Sequence, residues 1–225
     1  MIELAVITFL ALLPISNPFS TVPLFLSLTR GHPDAWAQQQ ALRACFFMAG
    51  ILLIFFWSGA LIIEFFGISI PAIRVAGGII IMRVGFSMLS PAEENADAIT
   101  KEAEIESRKK SDIAFTPLAM PSLSGPGSIS VVTTMAASTE ELSGYLAISA
   151  GILVVVCIAW LAMRSAKMIA KVLGVTGLDA LTRIMGFLLI CIAFQFVFDG
   201  FAEYFAGERF LMPIMESVER IRGLH

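Results

Sequence analysis

Six apolar runs of 22 to 25 residues alternate with short polar breaks along this chain, over residues 4–28, 42–66, 68–89, 113–137, 142–163 and 178–201. At 1.5 Å per residue, a helix of that length covers the ~30 Å hydrocarbon layer of a bilayer. Strands of a membrane barrel would alternate apolar and polar positions in shorter segments. Continuous runs predict helices, because a backbone facing lipid must satisfy its own hydrogen bonds. Between the third and fourth runs lies the one long polar stretch, 91–112, with seven acids and four bases. It reads as an exposed, solvated linker.

The two halves of the pattern repeat. Ser16-Asn17-Pro18-Phe19-Ser20 matches Ser124-Gly125-Pro126-Gly127-Ser128 at an offset of 108, and Arg74-Val75-Ala76-Gly77-Gly78 matches Arg183-Ile184-Met185-Gly186-Phe187 at 109. Each unit holds three runs. Three is odd, so the second copy must be inverted in the membrane, an arrangement common in secondary transporters. The expected fold is an all-α membrane protein: six transmembrane segments as two inverted three-helix repeats, residues 1–90 and 113–206. The linker at 91–112 joins them and a tail, 207–225, follows.

The repeated motif interrupts the first and fourth runs near their middles. Pro14 and Pro18 do so in the first, and Pro117, Pro121 and Pro126 with Gly125 and Gly127 in the second. Proline removes a backbone donor and clashes with the preceding turn, costing about 3 kcal/mol in a helix interior. The freed polar groups must line a cavity or meet protein partners. Helices 1 and 4 are therefore expected to be broken or re-entrant, with the breaks meeting near the midplane. Small hydroxyl residues follow each break: Ser20 and Thr21, then Ser128, Ser130, Thr133 and Thr134. A helix starting there aims its unpaired N–H groups and positive dipole end at the break, where a carboxylate can rest. Asn17, Pro18, Ser20, Thr21, Gly125, Pro126, Gly127 and Ser128 are the expected solute-binding residues. Proline kinks also occur in membrane helices for packing alone; duplication of the interruption favours a site.

Charges in the spans are few. Arg74 and Arg183 are repeat mates near the starts of runs three and six, and are expected to anchor at the interface or to act as a gate or anion contact. Arg83 lies within snorkelling reach of an interface. Glu64 and Asp199 sit at the ends of their runs, and Gln195 is the one amide expected at depth in run six. Gly77, Gly78, Gly85 and Gly186 predict close helix packing. Lysine and arginine set orientation. Nine fall on the side of Arg30, Arg43, the linker, Arg164, Lys167 and Lys171, against four on the other. Both termini are expected outside and the linker in the cytoplasm.

Composition narrows the function classes. The chain is 57% hydrophobic and 15% charged, with a mean hydropathy of +0.85, which excludes a soluble globular domain and a disordered chain. A net charge of −3 gives no reason to expect nucleic acid. Cys45, Cys157 and Cys191 all lie in apolar runs, an odd set that suits neither a disulfide framework nor a metal centre. There is no HExxH, CxxC or phosphate-binding glycine loop. No cofactor, metal or enzymatic activity is expected. The N-terminal run lacks a basic leader and a cleavage site and reads as a retained span.

These stretches together resemble the MarC family of six-helix bacterial inner-membrane proteins. The resemblance rests on Asn17-Pro18 with Pro23-Leu24-Phe25-Leu26, on Gly67 to Pro71 with Arg74 to Gly78, on Pro117 to Pro121 with Gly125-Pro126-Gly127, and on Arg183 to Phe187. It implies a bacterial plasma membrane and kinship with LysE-like exporters, some relatives being regarded as carriers of small neutral amino acids. The expected function is secondary transport of a small zwitterionic or anionic solute by alternating access. The alternatives are a membrane scaffold without a solute and a lipid-handling protein such as a flippase. The expected partners are the lipid bilayer and the solute, and oligomerisation stays open.

Overall fold

The computed structural model of the protein describes residues 1–89 and 112–207. The linker before Asp112 and the tail beyond Gly207 lie outside the described residues. Among the described residues the elements are α1 (Ile2–Ser16), α2 (Pro18–Leu28), α3 (Asp34–Phe66), α4 (Ile70–Leu89), a wide π-type segment (Ala114–Leu123), α5 (Pro126–Ala137), α6 (Leu142–Arg164) and α7 (Ala166–Ala206). Four of these, α3, α4, α6 and the Thr176–Ala206 part of α7, are each long and apolar enough to cross a bilayer. The pair α1–α2, bent by 42°, makes a fifth such unit.

Two helices outrun their apolar stretches. α3 begins at Asp34, eight residues early, because Ala37, Gln38, Gln39, Gln40 and Ala41 are good helix formers and Asp34 complements the dipole of the first turn. Its 33 residues span about 50 Å, more than the hydrocarbon layer. α7 starts at Ala166 but is interrupted at Gly174, whose φ of 65° a side chain would oppose.

Helix breaks appear where proline and its neighbours dictate them. α1 carries Pro14 without ending; it stops at Ser16, and Asn17 takes the left-handed conformation (φ 31°, ψ 67°). Pro18 and Pro126 then occupy the first helical position of α2 and α5, where a missing N–H costs nothing. In the π-type segment Thr116 and Met120 are extended (ψ 123° and 126°). Each precedes a proline, which excludes the helical region for the residue before it.

α1 packs on α6, while α5 and the π-type segment pack on α3; α2 meets α7 and α5 meets α4. The tightest seam is antiparallel, between α4 and α7. There Gly78 faces Ala193 and Val197, and Gly85 faces Gly186 and Ile190. A Cβ on Gly85 would stand 2.9 Å from the Gly186 carbonyl oxygen, so the approach requires glycine. The core is filled by Leu12, Met48, Leu52, Phe56, Leu118 and Ile152, all fully buried. Outward-facing side chains are also apolar: Phe46 and Phe65 are 79% and 83% exposed. In water such a surface would drive association, whereas lipid solvates it.

Polar contacts sort the loops to two ends. Arg43 pairs with Asp112 at 3.2 Å, Lys167 pairs with Asp34, and Gln38 meets Arg164. The 29–33 loop, the start of the second half and the α6–α7 joint thus share one end, the Asp112 end. At the other, Gly144 lies between Thr139 and Leu4, and Arg74 pairs with Glu203 at 2.8 Å. This is the Ser138 end.

Candidate solute site at the paired helix breaks

The two breaks meet inside the bundle. Thr21, one turn into α2, places its Oγ1 3.0 Å from Ser122 Oγ at the end of the π-type segment. The polar side chains at both breaks are buried: Ser16 and Ser124 are fully inaccessible, Asn17 is 4% exposed and Ser128 1%, while Gly125 is half-buried and Pro126 exposed. Asn17 caps α2 by accepting the Ser20 N–H on Oδ1 at 3.3 Å, and its Nδ2 faces Met88 Sδ at 3.7 Å. Gly125 caps α5 with an extended backbone and no side chain. The first closed rung of α5 runs from the Ile129 N–H to the Gly125 carbonyl. The Gly127 and Ser128 N–H groups precede it, as the opening donors of any helix do.

A cavity of about 110 Å³ opens beside this helix start, lined by Ile15, Ile81, Val84, Pro121, Ser122, Gly125, Pro126, Gly127, Ser128 and Leu189. Among the described residues four buried hydroxyls have no hydrogen-bond partner: Ser128 in the cavity lining, Ser16 and Ser124 next in sequence to the lining residues Ile15 and Gly125, and Thr133 further along α5. An unpaired buried hydroxyl costs about 1–3 kcal/mol. Of the four, Ser128 lines the cavity itself, and its unpaired hydroxyl is the one a polar occupant there relieves. Ser16 and Ser124 are repeat mates at the 108 offset, so the feature is duplicated. Both belong to the repeated motif, yet serine is common enough that sequence alone did not mark them.

The eight expected residues divide. Gly125, Pro126, Gly127 and Ser128 line the cavity. Asn17, Pro18, Ser20 and Thr21 stand behind it. The Ser20 hydroxyl donates back to the Asn17 carbonyl at 3.0 Å, and Thr21 reaches the cavity only through Ser122. Gly127 is closely packed rather than open: a Cβ there would meet Ile81 Cγ1 at 2.9 Å and Ile15 Cγ2 at 3.3 Å.

The repeat-mate arginines differ in setting. Arg74 pairs with Glu203 and lines a second cavity at the Ser138 end. Arg183 pairs with Asp179 one turn earlier at 3.1 Å on an exposed face and lines neither cavity. Gln195 lies on the outer face of α7 and donates to Asp199 Oδ1 at 2.8 Å on its own helix. Among the described residues the buried amides are Asn17 and Gln40, the latter accepting the Ile113 N–H at 3.2 Å where the π-type segment begins. Gln40 lies outside every apolar run, which is why hydropathy did not reveal it.

The family model for MarC integral membrane proteins matches residues 2–205. The chain belongs to the MarC family. Its curated relatives include the inner membrane protein MarC of Citrobacter koseri and that of Escherichia coli. Each is 37% identical over 201 residues, covering 85% of this chain and 91% of the relative. No solved structure matches the chain. This MarC-family protein is thus a multi-pass protein of the inner membrane, and the paired breaks fall within the family match.

Proposed function

We propose that this MarC-family protein is a secondary transporter of a small zwitterionic or anionic solute, such as a neutral amino acid. It would work by alternating access around the paired breaks. The observation that carries the reading is the buried, unpartnered Ser128 hydroxyl in the lining of a cavity of about 110 Å³, beside an unclosed helix start, with unpartnered Ser16 and Ser124 at the two breaks. A carboxylate resting there would take the Gly127 and Ser128 N–H groups and the Ser128 hydroxyl, with the dipole of α5 behind it. No ionisable side chain lines the cavity, so the dipole and N–H groups supply the field.

The packing favours two inverted three-span repeats. Exchanging α1–α2 with the π-type segment and α5, α3 with α6, and α4 with α7 maps one set of helix contacts onto the other. In this reading α1–α2 and residues 113–137 each serve as one broken span. The Asp112 end, with Arg30, Arg43, Arg164 and Lys167, faces the cytoplasm by the positive-inside rule. A small cavity suits a metabolite better than a lipid. The larger groove between α3 and α6, about 560 Å³, has no basic residue in its lining to hold a headgroup.

The test is binding to the purified protein, measured as a thermal shift against concentration over the neutral amino acids. Ser128→Ala should weaken the best of them about tenfold, the loss of one donor to a charged group. Leu153→Ala on the lipid face should do little. Unchanged affinity in Ser128→Ala would place the site elsewhere.

A further inference from the structure

The second cavity lies between α4, α5 and α7 at the Ser138 end and measures about 280 Å³. It sits on the same α4–α5 seam as the cavity at the breaks. The two are separated by the contact of Gly77 with Ser130, where a Cβ on Gly77 would fall 2.0 Å from the serine Oγ. Its walls are Val131, Met135 and Phe196, and its polar lining is Arg74, Thr134, Ser138 and Asp199.

The polar lining is sorted by charge. Thr134 and Ser138 spend their hydroxyl protons on their own helix, donating to the carbonyls of Ser130 and Thr134 at 2.9 and 3.0 Å. The ionic groups therefore set the chemistry. Arg74 NH1 stands 2.8 Å from Glu203 Oε2 as an ion pair without hydrogen-bond geometry, and a guanidinium has five donors in a planar fork that suits a carboxylate. Asp199 holds Gln195 through Oδ1 alone, which leaves Oδ2 to accept. Two carboxylates against one guanidinium make the local charge negative. A simple anion is repelled there, whereas a molecule carrying both an ammonium and a carboxylate meets a partner for each.

We propose that this cavity is a recognition site for the head group of a neutral α-amino acid, with Asp199 taking the ammonium and Arg74 the carboxylate. The proposal deepens the carrier reading and rests on it, as a station on the path to the breaks. It also names the solute as zwitterionic rather than anionic, because the negative surroundings discriminate against a bare carboxylate.

The experiment titrates purified wild-type protein by thermal shift with the neutral amino acids from glycine to leucine, and compares L-valine with isobutylamine and isovalerate. Wild type should prefer the zwitterion to either single-charge analogue. Asp199→Asn keeps the acceptor for Gln195 and removes the charge. It should lose about tenfold in affinity for the amino acid and narrow the preference over isovalerate, a ratio that a merely structural role would not move. Arg74→Lys keeps the pair with Glu203 but loses the fork, and should narrow the preference over isobutylamine. As a separate locator, Ser138→Cys in a background lacking the native cysteines should react several-fold more slowly with a charged thiol reagent when the amino acid is bound. If Ser128→Ala weakens binding while Asp199→Asn and Ser138→Cys behave as if the cavity were empty, this proposal fails and the carrier reading stands. If no neutral amino acid shifts the wild type, both fail.

Discussion

Thr21 Oγ1 and Ser122 Oγ stand 3.0 Å apart although 101 residues separate them, and this one hydrogen bond joins the two broken segments. A side-chain hydrogen bond between membrane helices contributes about 0.6 kcal/mol on average. Removing one partner strands the other at a larger cost. Thr21→Ala and Ser122→Ala should each destabilise the detergent-solubilised protein, and the double variant should lose less than the sum. Unfolding curves for the three variants give the coupling; strictly additive losses would mean that the breaks are not joined here.

Asn17 combines a left-handed backbone with a cap on α2. Asn17→Gly keeps the backbone accessible and should cost a few tenths of a kcal/mol, while Asn17→Ala loses the cap and meets the left-handed penalty, about 1–2 kcal/mol. The order of the two melting temperatures is the test. Alanine equal to glycine would show that the conformation is not needed.

Gly127 is held by packing, so a substitution there reports on more than the cavity. Gly127→Ala should cost about 1–3 kcal/mol by overpacking against Ile81 and Ile15. Ile81→Ala removes the atom nearest the new methyl, so the pair should be non-additive and the second change should recover part of the loss. A cycle of stabilities with no coupling would contradict the contact.

The Lys167–Asp34 pair ties the α6–α7 joint to the start of α3 at one end, the end that the proposed topology places in the cytoplasm by the positive-inside rule. With Cys45, Cys157 and Cys191 replaced, Lys167→Cys should label only from the cytoplasm and Glu141→Cys only from outside. The reverse pattern would invert the proposed topology.

The long apolar helices and the places where proline breaks them were legible from the chain alone. These are local properties: run length against bilayer thickness, and the missing N–H and steric clash of Pro18, Pro117, Pro121 and Pro126. The repeated motif likewise points to Asn17, Pro18, Ser20 and Thr21 and to residues 125–128. What the motif could not decide is which member of each pair faces a cavity. Ser128 does and its mate Ser20 turns back onto Asn17, because rotation about each helix axis is set by neighbours such as Ile81 and Met88. The same holds for charge. Arg74 and Arg183 match in sequence, yet only Arg74 pairs with Glu203 and shares a cavity lining with Asp199, since both carboxylates come from α7, more than a hundred residues away. Hydropathy located the long apolar helices; only the antiparallel glycine seam of α4 and α7 brought opposite charges together at one end of the bundle.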